Sequence, residues 1–345
     1  MTNKAVYMTG INKLETREIE MPKIKEDEVL VKLEYVGICG SDVHYLEHGR
    51  IGDFVVEGDF ILGHECSGTV AEVGSAVKDL KVGDKVALEP GQTCGQCEFC
   101  KGGKYNLCPD VEFLATPPYH GCFMNYIAYP ANMAFKLPEN IGAKEGSLIE
   151  PLAVGIHSAK QGEVSVGSSV LVLGGGCIGL MTLLSSKAFG AGEVTVVDII
   201  PKRLEVAKKL GATHIINAKE VDLAKELDKI TGGKGFDVVF EAAGTVETIS
   251  QSADFVKGGG TIVLVGMAPQ DMIEFNIAKI LGREAQVKTV FRYRNIYPQA
   301  IDAVASGLIN VSEIVSHEFD FEDIASAFDF AINNKADVVK AVIRI

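Results

Sequence analysis

The chain has 345 residues, of which 47% are hydrophobic and 23% charged, and a formal net charge of −13 at pH 7. That balance describes a folded globular protein too long for one ordinary core, so it predicts two domains. The excess of acid repels a polyanion and excludes nucleic acid as a partner, and no apolar run approaches the roughly eighteen residues of a membrane span.

The opening stretch MTNKAVYMTG lacks an apolar core of signal-peptide length, which predicts a cytoplasmic protein whose cysteines stay reduced. The first 150 residues are rich in glycine, β-branched runs and turn dipeptides, as in EVLVKLEYVGI, CSGTVAEVGSAV and KVGDKVALEP. Such a pattern predicts a many-stranded, irregular β domain. Within it, VGICGSDVHYLEHG supplies Cys39, Ser41, His44 and Tyr45, ILGHECSG supplies His64 and Glu65, and LIEPLAVGIH supplies Glu150. Thiolate, imidazole and carboxylate are reasonable donors for a catalytic zinc, which needs three protein ligands and one open position. Spacing alone does not select among them. His48, His120, His157, His214 and His317 read as turn or surface histidines.

CGQCEFCKGGKYNLC then concentrates Cys94, Cys97, Cys100 and Cys108 in one short segment of a chain with eight cysteines. A bacterial ferredoxin run would close with three residues before a Cys-Pro, whereas seven precede Cys108-Pro109 here. In a reduced chain the tight spacing argues for metal over disulfide. Four thiolates fill a tetrahedral zinc shell and leave no place for a substrate, so this set predicts a structural zinc.

Near SVGSSVLVLGGG the pattern changes to short apolar strands alternating with helical stretches. This predicts a parallel sheet covered on both faces. Gly174-x-Gly176-x-x-Gly179 follows a strand and opens a helix, as a dinucleotide-binding turn requires. Asp198 ends the next strand, EVTVVD, where a carboxylate accepts from ribose hydroxyls and repels a 2′-phosphate. The cofactor is therefore expected to be NAD, although Arg203 stands close enough in sequence to greet a phosphate. After about Gly282 the pattern turns mixed again, as if the tail returned to the first domain. Repeats and low-complexity tracts are absent.

GICGSDVHYLEHGRIGDFVV, LGHECSGTVAEVG, GDKVALEPG and the cysteine segment resemble the zinc-dependent medium-chain dehydrogenases. FLATPP, EPLAVGIHS and VFRYRNIYPQAI narrow the resemblance, which covers essentially the whole chain, to the polyol branch of sorbitol and xylitol dehydrogenases. It implies an α/β protein: a GroES-like β-barrel-type catalytic domain over 1–150 with a C-terminal return over 283–345, and a doubly wound Rossmann domain over 151–282. It also implies a homotetramer and a zinc held by Cys39, His64 and Glu65, with Glu150 binding directly in some states and through water in others. Substrate contacts would fall on Tyr45, Phe113, Glu150, Arg292 and Tyr293. Beside the glycines, cofactor contacts would fall on Ile178, Asp198, Arg203, Val265, Gly266, Met267, Val290, Phe291 and Arg292.

The resemblance further implies oxidation of a secondary alcohol by NAD⁺, with Ser41 and His44 relaying the proton and Glu150 assisting. A lining of Tyr45, Glu150, Arg292 and Tyr293 asks for a polyhydroxylated chain, because unpaired polar groups reject an analogue lacking hydroxyls. Butanediol or threonine oxidation is the competing expectation, and a non-catalytic dinucleotide-binding protein or an iron–sulfur protein are others. Two departures stand out. All four segment cysteines are kept, unlike in some animal sorbitol dehydrogenases, and Tyr119 and His120 stand where acidic or small residues are frequent.

Overall fold

The structure is a computed structural model and describes residues 2–345. It divides into two compact units. The first runs to Glu150 and takes back Tyr297–Ser306 and Val315–Ile345; the second comprises Pro151–Ile296 and Gly307–Ile314.

In the first unit a seven-stranded sheet is built around the long strand Glu28–Ile38. One edge of that strand pairs antiparallel with Glu65–Val73. The other pairs with Tyr126–Pro130 along its first half and with Ala341–Arg344 along its second. The C-terminal strand is thereby laid beside Ile38, one residue before the first candidate ligand. Alternation along these strands buries Val29, Val31, Leu33 and Val36 in a core shared with Val70, Val86, Leu88, Phe123 and Tyr129.

The second unit is a six-stranded sheet with the order His214–Asn217, Glu193–Asp198, Ser169–Leu173, Phe236–Glu241, Val256–Leu264, Gln286–Thr289, all parallel. Its central strands are nearly continuous apolar runs, and Val170, Leu171, Val172 and Leu173 are fully buried, as both-face covering demands. Chain order reverses between Ser169–Leu173 and Phe236–Glu241, which is where an open α/β sheet takes its ligand.

The return to the first unit differs from the expected position at 283. Gln286–Thr289 pairs in parallel with Thr261–Leu264 and so completes the second sheet. The chain crosses back at Tyr297, which is fully buried, donates from its hydroxyl to the Leu88 carbonyl at 2.8 Å, and packs on Phe135.

Candidate active site

Cys39 stands immediately before the helix Gly40–His48, and the helix N-terminus orients it. The third helical residue, Asp42, accepts the Cys39 backbone N–H on Oδ2 at 2.9 Å, closing the first turn. Its other oxygen, Oδ1, accepts the Gly63 N–H at 2.9 Å and lies 3.6 Å from Nδ1 of His64. One fully buried carboxylate thus ties the turn bearing Cys39 to the turn bearing His64. With Nδ1 facing Asp42, Nε2 is the nitrogen left for a metal. Burial opposes a charge on the His64 ring, but Asp42 and Cys39 outweigh it and hold its pKa well above the usual value. Zinc must therefore displace a proton to bind, and metal affinity falls as the pH falls.

Glu65 is the first residue of the strand Glu65–Val73 and pairs with Gly37 across the sheet. A Cβ on Gly37 would lie 2.1 Å from Glu65 Oε2, so the carboxylate occupies the space a side chain there would take. Both Glu65 oxygens accept from Lys340 Nζ at 2.8 Å, and the same ammonium donates to the Ile38 carbonyl at 3.1 Å. Ligand atoms of Cys39, His64 and Glu65 all lie within 4.8 Å of one another. The donors fit a catalytic zinc. They are three, chemically mixed, and leave a fourth position, while Lys340 compensates the buried carboxylate when no dication does so.

Of the other expected site residues in this unit, Phe113 packs beside a donor, its ring centroid 5.8 Å from that of His64. Glu150 is buried in the first turn of the helix Ile149–Gln161 but is not in the three-donor group. Tyr45 belongs to the apolar core and packs against Phe60. Ser41 and His44 are half-buried on the helix that Cys39 opens. His120 behaves as a turn histidine, its Nδ1 accepting the Ile61 N–H at 3.2 Å.

Sequence reasoning missed Asp42 and Lys340. Asp42 had a local signal, an acid three residues into a helix beginning at Cys39. Lys340 had a subtler one, a lone lysine in the apolar run DVVKAVIRI.

Cys94, Cys97, Cys100 and Cys108 form the second converging set. Cys94 Sγ lies 3.9 Å from Cys100 Sγ and 3.5 Å from Cys108 Sγ. Four sulfurs bound to one zinc at about 2.3 Å stand about 3.8 Å apart, so the set is already near tetrahedral. The Cys97 and Cys100 N–H groups donate to Cys94 and Cys97 sulfurs, and N–H donors from Gln96 and Cys97 pull Cys94 down to about 7, towards thiolate. None of the eight cysteines is in a disulfide. The segment is anchored by Tyr105, whose hydroxyl donates to Glu89 Oε1 at 2.7 Å. Burial pushes Glu89 up to about 7 against that donation. Cys108→Ser is expected to release one zinc per chain, expose the 94–108 segment to proteolysis and lower the melting temperature before it lowers turnover. Unchanged melting and metal content would refute a structural zinc.

In the second unit the glycine turn links Ser169–Leu173 to the helix Cys177–Ala188. Gly174 has φ +103, a conformation that a side chain would strain. Gly176 is the N-cap residue, and a Cβ there would meet only Arg203 Nη1 at 4.0 Å, which leaves the backbone accessible to a pyrophosphate. Asp198 accepts the Gly175 N–H on Oδ2 at 2.6 Å and the Ile199 and Ile200 N–H groups on Oδ1 at 2.7 and 2.9 Å. A carboxylate has about four lone-pair sites, so capacity remains for a ribose hydroxyl. Arg203 Nη1 lies 3.6 Å from Asp198 Oδ2, so its charge is directed to that carboxylate rather than held ready for a phosphate. Val265 and Gly266 are fixed by N–H bonds to the Glu241 carbonyl, Val290 by one to the Leu264 carbonyl, and Met267 is exposed. Arg292 lies over the Phe291 ring at 4.8 Å with φ 56, and Tyr293 is buried. Both expected substrate residues of that pair lie in the second unit.

The comparisons agree with this chemistry. Residues 25–139 match the family profile of the alcohol dehydrogenase GroES-like domain, and residues 177–306 match that of zinc-binding dehydrogenases. The chain is 44% identical to a sorbitol dehydrogenase of Bacillus subtilis, covering 99% of this chain and 96% of the relative. It is 47% identical to an uncharacterized zinc-type alcohol dehydrogenase-like protein of Escherichia coli, with 99% of each covered. A solved Escherichia coli oxidoreductase of unknown specificity superposes with a TM-score of 0.97 at 45% identity, covering 100% of this chain and 99% of that one.

Proposed function

The chain belongs to the zinc-dependent medium-chain dehydrogenases, and from that membership we propose that it oxidises a sugar alcohol to a ketose with NAD⁺. The observation that carries the reading is the convergence of Cys39, His64 and Glu65, three mixed donors with a position to spare. Likeness to a sorbitol dehydrogenase over nearly the whole of both chains supports the polyol as substrate class.

When bound, zinc supplies Lewis acidity that makes an alcohol hydroxyl easier to deprotonate, and the dinucleotide supplies the hydride acceptor. The chain's own residues do the rest. Cys39, His64 and Glu65 would hold the metal, and Asp42 orients His64 towards it. Ser41 Oγ accepts the hydroxyl proton as it gives its own to His44, which passes it to solvent. Burial and the neighbouring His48 lower the His44 pKa, so its ring is neutral and able to accept that proton. Glu150 would assist by holding a water near the metal donors, and Tyr45 and Phe113 would line the substrate's path. Gly174, Gly176, Ile178 and Gly179 cradle the pyrophosphate, and Asp198 holds the adenosine ribose.

A homotetramer in the cytoplasm completes the proposal. Exposed Met272, Ile277, Leu281 and Val287, beside the edge strand Gln286–Thr289, support association of copies through the second unit.

The test is NAD⁺ reduction across sorbitol, xylitol, galactitol, 2,3-butanediol and L-threonine, with zinc counted per chain. Polyols should be the best substrates; threonine outpacing all of them would overturn the substrate class. For the cofactor, Asp198→Ala is expected to raise the KM for NAD⁺ by about 10- to 100-fold, the loss of one or two charge-assisted hydrogen bonds, and to improve NADP⁺ relative to NAD⁺. An unchanged ratio of the two cofactors would remove Asp198 from that role.

A further inference from the structure

His44 and His48 are four residues apart on the helix Gly40–His48, a spacing that puts both imidazoles on one face. Their rings are in contact, with centroids 4.5 Å apart and planes at 74°. His44 is half-buried and His48 is exposed, so water and ions reach the pair from outside. The catalytic donor set of Cys39, His64 and Glu65 does not use either ring.

Three features of the surroundings favour a cation there. His48 is in the last turn of the helix, where the backbone dipole presents its negative end. Glu47 lies in the same turn, and its charge is only partly offset by Lys335, whose Nζ is 3.4 Å from Glu47 Oε2. The lowered pKa of His44 keeps a nitrogen lone pair available at neutral pH. Two imidazoles one helical turn apart are the chelate that helical zinc sites use, and imidazole suits Zn²⁺, Ni²⁺ and Cu²⁺ alike.

We propose that His44 and His48 form an additional, exchangeable metal site, a bis-imidazole chelate for a borderline divalent transition ion. Water completes its coordination shell, so the ion comes and goes, unlike one enclosed by four thiolates. An ion held there engages the imidazole of His44 and withdraws it from proton transfer. This second clause rests on the reading of His44 as the relay; the site itself does not. The structure therefore assigns to this helix an inhibitory input, read out as the ambient level of free transition metal.

The test titrates the zinc-loaded enzyme with Ni²⁺ by calorimetry, comparing wild type, His48→Ala and, as a remote control, His214→Ala. Wild type and His214→Ala should each take up one Ni²⁺ per chain beyond their zinc, and His48→Ala should bind it at least tenfold more weakly. Equal Ni²⁺ binding by wild type and His48→Ala, or none by wild type, overturns the site. In parallel, Ni²⁺ should inhibit polyol oxidation by wild type, and His48→Ala should need at least tenfold more for the same fractional loss of its own basal rate. If Ni²⁺ binds through His48 without inhibiting, the metal site stands and the inhibitory clause falls, together with the relay role of His44. Loss of polyol oxidation in the untreated wild type would instead count against the proposed reaction and leave the calorimetric result intact.

Discussion

Cys39→Ser is expected to lower kcat by about 10³-fold or more while the protein stays folded. A serine hydroxyl does not ionise near neutral pH and is a poor zinc donor, so the three-ligand shell of Cys39, His64 and Glu65 collapses to two. Losing the Lewis acid forfeits several kcal/mol of charge stabilisation, and each 1.36 kcal/mol is a tenfold change in rate. The fold should tolerate the change because the Asp42 carboxylate accepts the backbone N–H of residue 39, a bond that serine keeps. Three measurements separate this from general damage. Zinc should fall from two to one per chain, the dissociation constant for NADH should stay within about twofold, and melting should move by only a few degrees. A variant that kept both zinc ions and its turnover would end the assignment of the metal site.

Lys340→Met is expected to cost the metal-free protein about 3–5 kcal/mol, the usual consequence of removing one member of a buried ion pair. Lys340 is 3% exposed and Glu65 1%, so the orphaned carboxylate has no water to turn to. At roughly 2–4 °C per kcal/mol for a domain of this size, the apo melting temperature should drop by about 10 °C. The zinc-loaded protein should lose much less, because the dication takes over the compensation. By the same reasoning zinc should bind more tightly to the variant, since it no longer competes with an ammonium for Glu65. The bound ion, facing a more negative ligand, should be a weaker Lewis acid, and kcat should fall. Lys340→Arg, which keeps the charge, should recover most of the stability. Equal losses with and without zinc would show that the ion pair and the metal do not share Glu65.

The parts of this protein legible in its sequence are those whose geometry is local. The glycine turn from Gly174 to Gly179 and the four cysteines from Cys94 to Cys108 each form within one short stretch, so spacing alone reports their shape. The strand ending in Asp198 is readable because its apolar run is buried on both faces. Gln286–Thr289 is not, because QVKT is a short edge strand with no apolar run to announce it, and the return at Tyr297 therefore comes later than the pattern suggests. Lys340 escapes for a different reason. Its meaning depends on the pairing of Ala341–Arg344 with Tyr35–Ile38, a contact across some three hundred residues that no window of sequence contains.

Gly37 carries no group that could bind, donate or react, yet the carboxylate of Glu65 rests where its first side-chain carbon would be. In a deep mutational scan scored by growth, this position should therefore be coloured like a ligand. The tolerance map of the site extends to a place with no functional atom, and the room that Gly37 leaves for the Glu65 carboxylate is as heritable a trait as the donors themselves.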